Sequence, residues 1–177
     1  LLKRFQTDAS TADPRPNVDP SGVRVLVVDD HPDAGRLIGT LLRHAGYEVA
    51  ELGDQQLAVA TLVHESEPVG AVVASFTTSG TRASLRLLDS IRNHPEPQVN
   101  GLRVLLVSDQ PRQQIFCLQA GADAVLLRPY HSEVLLAAVA DMVARPDAER
   151  AAYRRAAVDE LKRTMSHPLD PRAPTGT

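Results

Sequence analysis

The stretch Val25-Leu26-Val27-Val28-Asp29-Asp30-His31-Pro32 decides the fold. Its aliphatic run, with Val23 just before it, reads as a buried strand, because a strand covered on both faces is continuously apolar rather than alternating. The run stops at two adjacent carboxylates. Pro32 then suits the first turn of a helix, where no N–H is needed. A strand that ends in acids and passes at once into a helix opens an alternating strand–helix chain. In such sheets ions and phosphates are held at the carboxyl ends of the strands. Asp29 and Asp30 therefore stand where a site for Mg²⁺-assisted phosphoryl transfer would begin.

The alternation continues outward from this stretch. A helix is predicted over 32–45, with Leu37, Ile38, Leu41 and Leu42 on one face and Gly46 in the position of a left-handed C-cap. Strands are predicted at 23–29, 47–50, 71–74, 102–107 and 124–127, and further helices at 54–66, 82–93, 111–120 and 132–144. Five strand–helix pairs with short connections imply an α/β fold, a doubly wound five-stranded parallel sheet with helices on both faces. Residues 1–22, interrupted by Pro14, Pro16 and Pro20, read as a flexible linker, and 23–145 as the ordered domain. The segment 147–166 is rich in Ala, Arg, Glu and Lys and is predicted to add a helix. In it Tyr153, Ala157, Leu161 and Met165 recur every four residues as a narrow apolar stripe suited to a dimer contact. Prolines 168, 171 and 174 then mark 167–177 as a disordered tail.

Composition narrows the function classes. The 177 residues are 43% hydrophobic but only 3% aromatic, so the core must be Leu, Val and Ala. A net charge of −3 gives no global basic field for nucleic acid. The single cysteine, Cys117, excludes an internal disulfide framework and suits a reducing cytoplasm. Its setting among apolar residues of a helix reads as core. No apolar run reaches the roughly 20 residues that span a bilayer, and no secretory signal is visible. The chain starts Leu1-Leu2-Lys3-Arg4 without an initiator methionine, as expected of a piece of a longer or processed protein. No nucleophile–base pair and no Gly-rich phosphate loop suggests an enzyme acting on a free substrate.

Residues 22–145 resemble a receiver domain of bacterial two-component response regulators, which implies a flavodoxin-like (CheY-like) three-layer sandwich and a role in signal transduction. Asp29 and Asp30 match that family's Mg²⁺-binding carboxylates. Ser108, at the end of Val104-Leu105-Leu106-Val107, matches its small hydroxyl, and Gln119-Ala120-Gly121-Ala122-Asp123 its turn before the fifth strand. Arg128-Pro129-Tyr130 stands where the family has lysine, proline and usually an aromatic. The resemblance also places partner contacts on the fourth helix, fifth strand and fifth helix, here Arg112, Gln113, Val125, Tyr130, His131 and Glu133.

The departures carry the functional expectation. The family's phospho-accepting aspartate ends the third strand, and here that window, Ala74 to Phe76, holds no acid. Alignment from the strand favours Ala74, and alignment back from the next helix favours Phe76. No Asp or Glu occurs anywhere from Val69 to Leu87. Neither side chain can serve as the nucleophilic carboxylate or as the hard oxygen ligand that Mg²⁺ requires. Val125 replaces the aromatic switch residue and Arg128 the lysine. The reading is an atypical, aspartate-less receiver that acts by phosphorylation-independent protein–protein interaction. No cofactor is required, and Mg²⁺ is held weakly or not at all by Asp29 and Asp30. Its partners would be signalling proteins, with a homodimer through the last helix as a further expectation and no nucleic-acid or membrane contact.

A guanidinium is a planar fork for carboxylates, so Arg128 is expected to pair with Asp29 or Asp30 in the metal's place. Two alternatives stay open: a small molecule or anion held by Arg128 and Ser108, and a hydroxyl acceptor among Ser75, Thr77, Thr78 and Ser79. Plainer readings stand beside these. Asp29 and Asp30 suit a helix start, where acids are favourable by about 0.3–1 kcal/mol each. Ser108 can cap the turn after its strand, His31 suits an exposed loop, and the other histidines lack ligand spacing.

Overall fold

The computed structural model describes residues 19–64 and 68–166. Strand β1 (Arg24–Val28) is an inner strand of the sheet, and its last four residues are buried. It is followed by α1 (Pro32–His44), β2 (Glu48–Leu52), α2 (Gln55–His64), β3 (Ala71–Ala74), α3 (Gly80–Arg92), the single-turn α4 (Pro97–Asn100), β4 (Arg103–Ser108), α5 (Gln114–Gln119), β5 (Ala124–Leu127), α6 (Ser132–Ala144) and α7 (Asp147–Ser166). The strands form one sheet in the order β2-β1-β3-β4-β5, every pair parallel. This is the doubly wound sandwich expected from the sequence.

Alternation along the strands builds two apolar layers. Leu26, Val28, Val72, Ala74, Val104 and Leu106 face α2, α3 and α5, together with Leu87, Leu88 and Cys117. Val25, Val27, Val73, Leu105 and Val107 face α1 and α6, against Ile38, Leu42, Leu135 and Val139. Burying one such aliphatic side chain is worth about 1.5–3 kcal/mol, so the layers do not depend on aromatics. Gly46 (φ 98°) and Gly121 (φ 106°) take left-handed conformations that reverse the chain after α1 and α5.

Some boundaries moved. The second strand runs two residues past 50. The fourth predicted helix begins as a 3₁₀ turn, Pro111–Gln113. The extra turn α4 falls where His94-Pro95-Glu96-Pro97 reads as loop; Pro97 sits in its first turn, which tolerates proline. The end of the predicted second helix at 65–66, the linker up to residue 18 and the tail at 167–177 lie outside the described residues. Helix α7 packs on α5 through Val158, its buried residue.

The order of strands reverses between β1 and its two neighbours, so their carboxyl ends frame a crevice. Asp29, Asp30 and the residue after β3 all open onto it.

Candidate functional site

Of the three positions in the acceptor window, the backbone brings Ser75 to the crevice. Ala74 and Phe76 belong to the apolar layer under α3, and the pleat turns the residue between them the other way. Ser75 N–H continues the ladder to the Val28 carbonyl at 3.0 Å, and the residue is 1% exposed. Arg128 Nη2 donates to Ser75 Oγ at 2.9 Å and also to the Ser75 carbonyl. Tyr130 turns inward as well. Its hydroxyl faces Ser75, and burial pushes its pKa up.

The two aspartates are held by the loop after β3. Asp29 Oδ1 accepts from the backbone N–H of Thr77 and of His31, both at 2.9 Å, and Oδ2 accepts from Thr77 Oγ1 at 2.8 Å. Asp30 Oδ1 accepts from Thr78 N–H at 2.8 Å. Its Oδ2 accepts from Ser79 N–H at 2.7 Å and from the Ser79 hydroxyl. Three successive N–H groups leading into the positive end of α3 thus cradle the acidic pair. For Asp30, burial alone would raise the pKa. The Ser79 hydroxyl and the N–H groups of Thr78 and Ser79 outweigh it, and the carboxyl lies below its ordinary value.

Arg128 does not pair with either aspartate, which corrects the sequence expectation. Its Nη1 lies 3.1 Å from both oxygens of Asp109, and Nη2 reaches Thr77 Oγ1 at 3.3 Å. The physical reason is competition. Donors from the loop already hold the Asp29 and Asp30 oxygens, and Asp109, adjoining the end of β4, offers a free carboxylate beside the guanidinium. Thr77 links the two systems, donating to Asp29 and accepting from Arg128.

This arrangement fits Mg²⁺ poorly. The ion needs several hard oxygens in near-octahedral array. Here the oxygens of both aspartates accept protein donors, and the residue that β3 delivers beside them is a serine that faces a cation. Among the described residues no group of three or more His, Cys, Asp or Glu could hold a metal.

Ser108 is fully buried. Its hydroxyl exchanges a 2.8 Å hydrogen bond with Thr81 Oγ1 and accepts from Gln110 N–H at 3.1 Å. His31 is exposed and caps α1, its ring accepting from Ala34 N–H at 3.4 Å. Of the remaining residues assigned to partner contact, Arg112, His131 and Glu133 are exposed, while Gln113 and Val125 are half-buried. Gln113 Oε1 is buried without a partner among the described residues. Val125 lines a groove of about 480 Å³, and Tyr153, Ala157 and Leu161 close its other side. Most of the α7 stripe therefore faces its own domain, while Met165 is exposed. Thr81 and Asp109 escaped the sequence reading as site residues, and Thr77 was named there only as a possible acceptor, not as the bridge between Asp29 and Arg128. Thr81 lay in a polar stretch read as loop, and Asp109 follows a strand with no motif around it.

Residues 25–140 match the sequence profile of the response regulator receiver domain. The transcriptional regulatory protein AruR of Pseudomonas aeruginosa is 28% identical over 125 residues, which cover 69% of this chain and 50% of AruR. The chain thus spans about half the length of that curated relative. The chemotaxis response regulator CheY4 of Vibrio cholerae superposes with a TM-score of 0.59 at 20% identity, covering 68% of this chain and 98% of CheY4. A response regulator from Thermotoga maritima gives 0.58 at 22% identity, covering 70% of this chain and 98% of its own. At such identities these two likenesses speak to the fold.

Proposed function

Since this chain belongs to the response regulator receiver family, a family of signal-transduction modules, we propose that it signals without an aspartyl phosphate, by recognising protein partners. One observation carries this reading: the residue that β3 delivers to the crevice is Ser75, bound by Arg128, with no acid within the surrounding segment 69–87. A serine hydroxyl is a weak nucleophile unless a base adjoins it. A candidate base in the crevice, Asp29, has its oxygens engaged by Thr77 and His31.

The loop 77–79 supplies from within the protein the positive surroundings that a metal would otherwise give the acidic pair. Mg²⁺ binding is accordingly weak or lost. A ligand-sensing role for Arg128 and Ser108 is less well supported, because Asp109 balances the guanidinium and Thr81 engages the hydroxyl. Partner recognition draws on the exposed Arg112, His131 and Glu133 around α5 and α6. A homodimer through α7 belongs to the same proposal and would use the exposed Met165, since Tyr153, Ala157 and Leu161 line the domain's own groove.

The test is intact-mass spectrometry after incubation with acetyl phosphate and Mg²⁺, beside a conventional receiver as positive control. The expected result is no added phosphate on this chain while the control is labelled. A stoichiometric adduct would overturn the proposal, and peptide mapping would then name the side chain that took it.

A further inference from the structure

On the opposite face from α6, the outward surface of α3 and the short helix α5 enclose a groove of about 490 Å³. Its wall along α3 is Arg82, Leu85, Arg86 and Asp89, spaced to share one helix face, and Phe116 and Ala120 form the side contributed by α5 and the turn after it. Phe116 is one of only three phenylalanines in the chain and is 58% exposed. A sequence so poor in aromatics does not need one in solvent for its core, which the aliphatic layers already fill.

The charges are equally out of place. Arg82 lies in the first turn of α3, which contains no acid, and a helix N-terminus disfavours cations. Arg86 follows four residues later, so the two like charges stand side by side on the helix surface. Neither guanidinium has an ion pair or hydrogen bond among the described residues. Residues that break local rules without internal compensation mark functional surface. Exposed aromatic and arginine side chains around a concave site are the usual anchors of a protein interface.

We propose that this α3–α5 groove docks an acidic amphipathic helix of a partner protein. An apolar side chain would enter between Leu85 and Phe116, and carboxylates would meet Arg82 and Arg86. Asp89 at the far end fixes the direction, because it repels an acid there and favours a basic or neutral residue. The positive pair on a chain of net charge −3 is the feature that selects an acidic partner. The proposal goes beyond the reading of the crevice, since a chain that did take up phosphate would keep this groove.

The probes are two synthetic helical peptides with the same leucines at i, i+3, i+4 and i+7, one carrying glutamates on its polar face and the other lysines. Binding is followed by fluorescence anisotropy and by amide chemical shifts of the full chain. The glutamate peptide is expected to bind at least about ten-fold more tightly than the lysine peptide, with shifts on α3 and α5. Phe116→Ala should weaken it by a similar factor. The double variant Arg82→Glu/Arg86→Glu, on exposed positions that leave the core untouched, should reverse the preference. No binding, equal binding of both peptides, an unreversed preference, or shifts centred on Val125 would overturn the proposal. So would tighter binding of a single-stranded oligonucleotide, which would make Phe116 a stacking platform instead.

Discussion

At the residue scale, Thr77 has the most connected role in the crevice. Its hydroxyl donates to Asp29 and accepts from Arg128, and its N–H holds the same aspartate. Thr77→Val keeps the shape and the backbone bond but removes the hydroxyl. One carboxylate oxygen and one guanidinium nitrogen then lose a partner. The residue is exposed, so water replaces part of the loss and the expected destabilisation is about 1 kcal/mol. Urea unfolding should show a lower midpoint with an unchanged slope. A midpoint equal to wild type would mean that the hydroxyl bridge is energetically idle. Asp30 makes a second, pH-dependent point. Its folded pKa lies below the ordinary carboxylate value, so its contribution is complete above about pH 4–5 and is lost as pH falls through the folded value. Asp30→Asn should therefore flatten the acid limb of the stability–pH curve, and an unchanged limb would show that loop 77–79 does not depend on that charge.

At the element scale, α7 is attached more by charge than by apolar packing. Among its 20 residues only Val158 is buried. Yet Arg150 Nε and Nη2 reach the two oxygens of Asp123 at 2.8 Å, and Arg154 Nη1 reaches it at 2.9 Å. Asp123 is 1% exposed and also accepts from Val104 N–H and Arg92. Burial by itself would raise its pKa, but the Arg150 and Val104 hydrogen bonds and the arginine charges outweigh it and lower it. Arg92 is pulled down to about 10 by burial, with Arg150 and Arg154 adding to the effect and Asp123 opposing it. It remains a cation at neutral pH. Arg150 further donates to the Gly101 and Leu102 carbonyls, pinning α7 to the start of β4. Removing Arg150 takes its bonds from Asp123 and from the two carbonyls, each bond to a charged group being worth about 1.5–3 kcal/mol, while Arg92 and Arg154 keep the buried carboxylate paired. Arg150→Ala should release α7 while the sheet stays folded. Hydrogen exchange should then be fast along 147–166 and slow in β1, β3 and β4. Protection of α7 equal to wild type would show that the groove contacts of Tyr153, Ala157 and Leu161 suffice.

At the scale of the whole molecule, the sheet was legible because both core layers are written as continuous aliphatic runs, and because Gly46 and Gly121 punctuate the helices where the backbone turns left-handed. The acidic pair was legible for the same reason, being fixed to a strand end. The residue that β3 delivers to the crevice was not, because the two alignments favoured Ala74 or Phe76 and the backbone brings Ser75. The partners of Arg128 and of the two aspartates were not. They come from Thr77, Ser79 and Asp109, polar residues of connecting segments whose roles depend on a fold that brings residues 29 and 77 together across the sheet. This division bears on whether the molecule has a second state. A receiver that switches needs a carboxylate to modify, a hydroxyl free to move and a bulky side chain to follow it. On the reading proposed above, Ser75 stands at the first position, the Ser108 hydroxyl is already engaged by Thr81, and Val125 is short. A ligand shifts an equilibrium only by its differential affinity for two states, and beryllofluoride, a phosphoryl mimic, finds no carboxylate at the end of β3 on which to form. Amide spectra recorded with Mg²⁺ and beryllofluoride should therefore match those of the free protein over α5, β5 and α6. Stoichiometric shifts spreading from the Ser75 crevice to Val125 would show that the fold still couples the two, and that another group has replaced the aspartate as the point of attachment.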